Sequence, residues 1–205
     1  MNYLFDCSGC RTKCDGKSLM KYNFLNDVQY SEKYEKQLIN KINQLGFFAK
    51  KTEKLQYPDV EVYDKKNGNI LCFIEVKAQR RTFMTVKKHL PNGNLIPSET
   101  VALNQSDLEH YIQQSKIETA PIFIMWVLSN RPCITGENTK FFYNHINIFK
   151  EIFEYYKEKR RFRRRSGDGD IINGQHKGVV VNYHFSLNEL LPFRLNDFLS
   201  QFINK

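Results

Sequence analysis

Apolar residues first fall into a helical rhythm at Tyr34, Leu38, Ile42 and Leu45, three to four positions apart, with Ser31 placed as N-cap and Gly46 where a helix would stop. Three short extended stretches follow, 47–52, 57–64 and 70–79, and the polar turn Lys65-Lys66-Asn67-Gly68-Asn69 between the last two marks a meander. Residues 80–103 carry Pro91-Asn92-Gly93-Asn94 and Pro97, so they read as a long loop at the rim of a site. Beyond it the pattern gives a helix over 103–115, a buried strand over 121–128 and a long amphipathic helix over 144–165. A break at Ser166-Gly167-Asp168-Gly169-Asp170 precedes a strand over 178–185 and a short helix over 195–203. The order helix, three strands, helix, strand, helix, strand implies an α/β sandwich around a central mixed sheet.

Length and composition add bounds. At 205 residues, 41% of them hydrophobic, the chain suits one core with decorations. Residues 1–22 carry three cysteines with little periodicity and read as an appendage, leaving 23–205 as the folded domain. The longest apolar run is Pro121 to Leu128, well short of the roughly 20 residues that cross a bilayer. The first residues lack the basic lead and apolar stretch of a secretory signal. A cytoplasmic protein without a membrane partner is therefore expected.

The formal charge is +9, and the excess is clustered: 157–165 reads KEKRRFRRR. Neutralising phosphates with release of their counterions is the natural use of such a cluster, against the plainer alternative of a solvated helix end. Arg160, Arg161, Arg163, Arg164 and Arg165 are thus candidate nucleic-acid contacts. A second basic group, Arg80, Arg81, Lys87 and Lys88, lies in the loop after the third extended stretch, with His89 beside it.

Candidate chemistry sits in YPDVEVYDKKNGNILCFIEVKAQ, Tyr57 to Gln79. With a two-residue Asn67-Gly68 loop, opposite residues sum to 135 and Asp59 faces Val76. With a three-residue loop Lys66-Asn67-Gly68 and Gly68 left-handed in a bulge, they sum to 134. Val60 then meets Ile74, Val62 meets Cys72, and Asp59 meets Glu75, with Lys77 two residues on along the same wet face. Two opposed carboxylates repel unless a cation sits between them. Asp59, Glu75 and the Val76 carbonyl suit Mg²⁺ or Mn²⁺, which take hard oxygen ligands and share their shell with phosphate and water. Lys77 could orient or deprotonate the attacking water, or balance charge developing on the phosphate. The plainer reading of the trio is a solvated strand face with a cross-strand salt bridge, worth about 1 kcal/mol or less.

Pro58-Asp59 and Glu75-Val76-Lys77, with 15 residues between them and an Asn-Gly turn on the way, resemble the PD-(D/E)xK nuclease superfamily, which includes restriction endonucleases, Holliday-junction resolvases and recombination exonucleases. The resemblance spans roughly 32–128. It implies a restriction-endonuclease-like α/β/α sandwich and a Mg²⁺- or Mn²⁺-dependent endonuclease that cuts DNA, with catalytic Asp59, Glu75 and Lys77. It also implies a catalytic acid on the preceding helix, where Glu35 matches best and Glu32 is the rival. Gln79 continues the polar face, and Gln105 stands where several relatives carry a glutamine that lines the site.

Cys7, Cys10 and Cys14 have C-x2-C-x3-C spacing, which suits half a zinc site. An iron-sulfur cluster, carried by some exonuclease-like relatives, is the rival, and free thiols are the plain alternative. His89, His110, His145, His176 and His184 show neither metal spacing nor a partnered nucleophile. The reading that results is a metal-dependent endodeoxyribonuclease, of restriction or repair type. RNA stays open as a substrate, and a homodimer is allowed. A catalytically silent nucleic-acid-binding module of the same fold is the alternative.

Overall fold

The computed structural model describes residues 24–80, 82–129, 131–136, 138–163, 171–172, 175–176 and 180–202. The cysteine appendage, with Cys7, Cys10 and Cys14, lies outside these residues, as do Arg81, Arg164 and Arg165.

The first helix, α1 (Phe24–Gln44), begins seven residues before Ser31. Ser31 therefore stands inside the helix instead of capping it. Its hydroxyl donates to the Val76 carbonyl at 3.1 Å, so its polarity serves the sheet. Strands β1 (Phe48–Lys51), β2 (Val60–Tyr63) and β3 (Ile70–Gln79) then form the expected antiparallel meander.

The register of β2 on β3 is the second of the two derived from sequence. Val60 faces Ile74 and Val62 faces Cys72, each pair summing to 134. The turn that sets it differs in detail. Tyr63 faces Ile70, so the extra residue is Leu71, inside β3, and the connection runs from Asp64 to Asn69. Asx bonds fix it: Asp64 Oδ1 accepts from the Lys66 amide at 2.8 Å and Asn67 Oδ1 from the Asn69 amide at 2.9 Å. Gly68 sits at φ +72°, the left-handed region where glycine has no Cβ penalty.

The span expected to be one loop holds a short helix, α2 (Val86–His89), and a strand, β4 (Thr100–Asn104). Helix α3 (Gln105–Gln114) leads to β5 (Ile122–Leu128), which is buried along its whole length and pairs parallel to β3. After α4 (Pro132–Thr135) comes β6 (Lys140–His145), a strand whose last two residues fall in the span expected to be helix. Helix α5 (Ile146–Tyr156) stops nine residues short of the expected end. Lys157 takes φ +45°, a 3-10 turn covers Lys157–Arg160, and Arg161–Arg163 form β7. A two-residue pair, β8 (Ile171–Ile172) with β9 (Gln175–His176), precedes β10 (Val181–Ser186), β11 (Leu191–Pro192) and α6 (Leu195–Ser200).

The central sheet has the order β1-β2-β3-β5-β6-β11 and is mixed, with β3 and β5 parallel and the other pairs antiparallel. Alternation along β3 sends Cys72, Ile74 and Val76 to one core, with Leu38 and Ile42 of α1 and Phe198 and Leu199 of α6. Phe73 joins the other core, with Leu108, Tyr111 and Ile112 of α3, Phe149 of α5 and Tyr183 and Phe185 of β10. On that second side a three-stranded sheet, β4-β10-β7, adds a layer. The chain is thus a mixed α/β protein with helices on both faces of a central mixed sheet, as its pattern implies. Among the described residues no helix is long and apolar enough to cross a membrane.

Candidate active site

Strand β2 ends its ladder at Val60, so the edge of β3 beyond Ile74 loses its backbone partner. Side chains take over. The carboxylate of Asp59, in the bend just before β2, accepts the Val76 N–H on Oδ2 at 2.8 Å, and the Ser31 hydroxyl supplies the Val76 carbonyl. Buried main-chain groups need such partners, and here an acidic side chain and a helix hydroxyl provide them. The Asp59 carbonyl accepts from the Thr52 amide at 2.9 Å, which fixes the bend.

Glu75 does not face water. It is 2% exposed, because α3 packs over this side of β3. Its Oε2 accepts from the Tyr111 hydroxyl at 2.7 Å and its Oε1 pairs with Lys77 Nζ at 2.5 Å. Lys77 Nζ also reaches Asp107 Oδ2 at 3.4 Å, and the side chain is 30% exposed. Lys77 and Asp59 are therefore the members of the trio that keep partial access to solvent. The expected wet face is a covered one with an opening.

Electrostatics follow from that burial. Asp59 is pushed up to about 8, first by desolvation and then by the charges of Glu75 and Glu35, against the pull of Lys77 and the Val76 N–H. Burial disfavours charge on Lys77, but Glu75, Asp107 and Asp59 outweigh it and hold the ammonium above its usual range. Tyr111 is driven up by burial and by Glu75, so its hydroxyl keeps its proton and remains a donor. Strongly shifted groups gathered in one place mark candidate functional sites.

Of the two rival acids on α1, Glu35 is 5% exposed and its charge reaches Asp59, whereas the Glu32 side chain is 41% exposed. Lys51 of β1 pairs with Glu35 at 3.2 Å and Glu32 at 3.6 Å. The sequence does not mark Lys51, Asp107 or Tyr111, and it marks Ser31 only as a helix cap. Only the four-residue spacing of Asp107 and Tyr111, which puts both on one face of α3, carries a sequence signal.

Two site-lining expectations land differently. Both polar atoms of the Gln79 amide are bonded to β4, Nε2 donating to the Thr100 carbonyl at 3.2 Å and Oε1 accepting from the Ala102 amide at 3.1 Å. Gln79 thereby stitches the central sheet to the smaller one. Gln105, first in α3, donates to Glu109 at 2.7 Å.

The basic groups divide. Arg160 is a correction: it is 1% exposed, so it cannot grip a phosphate backbone. Its Nε donates to the Gly93 carbonyl at 2.7 Å, it pairs with Glu189 at 2.7 Å, and its guanidinium stacks on Tyr156 at 3.5 Å. The contact needs Gly93, where a Cβ would lie 3.0 Å from the Lys159 carbonyl oxygen. Arg161 and Arg163 are exposed, as are Lys87 and Lys88. These two pairs, some seventy residues apart, converge because His89 stacks against Phe162 at 4.8 Å over a small core of Val86, Leu90 and Leu95. Arg80 lies over the Tyr30 ring at 4.5 Å.

Among the described residues no group of three or more His, Cys, Asp and Glu is spaced to hold a metal ion. The site offers two carboxylates and a carbonyl instead. Cys72 is buried and Cys133 half-buried.

No protein-family model matches the chain, and no curated protein matches it in sequence. Among solved structures it is similar to a Holliday junction resolvase from the archaeal hyperthermophile Archaeoglobus fulgidus, with 10% identity, a TM-score of 0.43, and coverage of 83% of this chain and 96% of that one. A likeness of that size is one of general outline.

Proposed function

We propose that this protein is a divalent-metal-dependent endonuclease of the PD-(D/E)xK type acting on DNA, with Asp59, Glu75 and Lys77 as its catalytic residues and Glu35 as an accessory acid. The observation that carries the reading is a half-buried Asp59 set within reach of the charges of buried Glu75 and Glu35, where desolvation and like charge hold it near 8. Lys77 on Glu75 and Lys51 on Glu35 offset part of that repulsion, and a bound cation would relieve what remains at Asp59.

The donors fit a hard ion. Asp59 Oδ1, the remaining lone pairs of Glu75 and the free lone pair of the Val76 carbonyl are all oxygens, and an ion such as Mg²⁺ completes its shell with water and phosphate. When bound there, it supplies Lewis acidity at the scissile phosphate and a more acidic water. The chain's residues do the rest. Asp59 and Glu75 set the position, and the backbone N–H of Val76 keeps the Asp59 carboxylate from turning away. The Lys77 ammonium, held charged by its carboxylate neighbours, faces the opening and balances charge that builds on the phosphate. Lys87, Lys88, Arg161 and Arg163 position the backbone of the nucleic acid without reading sequence.

Supercoiled plasmid incubated with the protein and Mg²⁺ or Mn²⁺ tests this. Nicked or linear product that disappears with EDTA and in Lys77→Ala supports the nuclease. Intact plasmid that is nonetheless retarded in a gel supports the silent binding module instead.

A further inference from the structure

Helix α3 lies across the Glu75 side of β3 and sets two of its side chains against the site. The Tyr111 hydroxyl donates to Glu75 Oε2 at 2.7 Å, and Asp107 Oδ2 accepts from Lys77 Nζ at 3.4 Å. The spacings match: two residues along a strand cover about 6.7 Å, and four along a helix about 6 Å. The polarity matches as well. The chain must return from the end of β3 to the start of the parallel β5, so α3 runs against β3 and places Asp107 over Lys77 and Tyr111 over Glu75.

Neither residue is accounted for by packing. Tyr111 belongs to the apolar core beside Phe73 and Leu108, where phenylalanine would fill the same space, so what tyrosine adds is a hydroxyl on a buried carboxylate. Asp107 is 31% exposed in its side chain and places a second carboxylate beside an ammonium that Glu75 already pairs. With Lys77 on Oε1 and Tyr111 on Oε2, each Glu75 oxygen has its own donor. An ion binding Glu75 competes with Lys77 for Oε1. Asp107 is then the acceptor that keeps the ammonium at the opening.

We infer that Tyr111 and Asp107 are a paired set of positioning residues: Tyr111 fixes the Glu75 carboxylate for an ion, and Asp107 holds Lys77 in place once the ion takes Glu75. The inference rests on the nuclease reading and deepens it. Partners behind metal ligands commonly contribute 10- to 100-fold in affinity or activity.

The test is Mn²⁺ affinity, measured by electron paramagnetic resonance, together with single-turnover cleavage of a labelled DNA duplex, for wild type, Tyr111→Phe, Asp107→Asn and Asp107→Glu. Tyr111→Phe should bind Mn²⁺ about 10-fold more weakly, with its rate largely recovered at saturating Mn²⁺. Asp107→Asn should bind Mn²⁺ within about twofold of wild type but cleave about 10-fold more slowly at saturation, with KM for the duplex unchanged and partial rescue in Asp107→Glu. A purely structural role would lower the melting temperature of Tyr111→Phe and leave Mn²⁺ affinity where it was, and that result overturns the inference. So do wild-type rates and affinities in both variants, while wild-type cleavage leaves the nuclease reading standing. If wild type binds Mn²⁺ without cutting, the affinity of Tyr111→Phe decides alone. If it neither binds nor cuts, the nuclease reading falls and the positioning role with it.

Discussion

The carboxylate of Asp59 accepts the backbone N–H of Val76, the middle residue of Glu75-Val76-Lys77, at 2.8 Å. One hydrogen bond thus ties the two halves of the candidate site where the β2–β3 ladder has run out. It also holds Asp59 where desolvation and the charges of Glu75 and Glu35 act against its ionisation.

Asp59→Asn should therefore stabilise the protein without divalent ions. The amide oxygen still accepts from Val76, while the half-buried charge is gone. At pH 8 the variant should melt at or above the wild-type temperature. Excess Mn²⁺ should raise the wild-type melting temperature by several degrees and leave that of the variant unmoved. A large drop in the variant would mean that the carboxylate is satisfied by the fold alone.

The two kinds of arginine in the basic run should separate cleanly. Arg160→Met leaves Glu189 without its buried partner and empties the space beside Gly93, which should cost about 3 kcal/mol in denaturant unfolding. Arg161→Ala with Arg163→Ala should leave stability within about 0.5 kcal/mol per site and weaken DNA binding. The slope of log affinity against log salt should become shallower by about 2 in that double variant. An unchanged slope would remove this surface from the DNA contact.

His184 gives the fold an acid-sensitive point. It is 2% exposed, with its Nδ1 at 3.2 Å from the Arg160 carbonyl oxygen. Burial lowers it to about 4, against the hydrogen bond to the Arg160 carbonyl and helped by the Arg160 charge. The unfolded chain, with an ordinary histidine near 6.5, binds a proton that the folded state refuses, so stability falls as pH drops from 6.5 towards 4. The loss from this group is about 3 kcal/mol across that window. His184→Gln should flatten that part of the stability-against-pH curve, and equal slopes in both proteins would count against it.

The helical rhythm of Tyr34, Leu38 and Ile42 and the alternation from Val60 to Lys77 were enough to place α1, the meander and the register of 134, because burial on one face leaves a strand no freedom to slip. The unbroken apolar run of β5 announced a central strand. Two things were hidden. Arg160 to Arg163 read as the end of a helix because charge alone does not distinguish a solvated face from a buried guanidinium, and only the tertiary partners Gly93, Glu189 and Tyr156 make Arg160 a core residue. The cover over Glu75 was equally invisible: strand periodicity gives the side of a sheet, and what packs there depends on where α3 returns.

The most direct measurement is the single-turnover rate at which wild type and Asp59→Asn cut a labelled DNA duplex at saturating Mn²⁺, with folding of both checked by thermal melting. A metal-dependent nuclease built on Asp59 and Glu75 should lose at least about 100-fold in Asp59→Asn while the variant stays folded. Equal rates in the two proteins would contradict it.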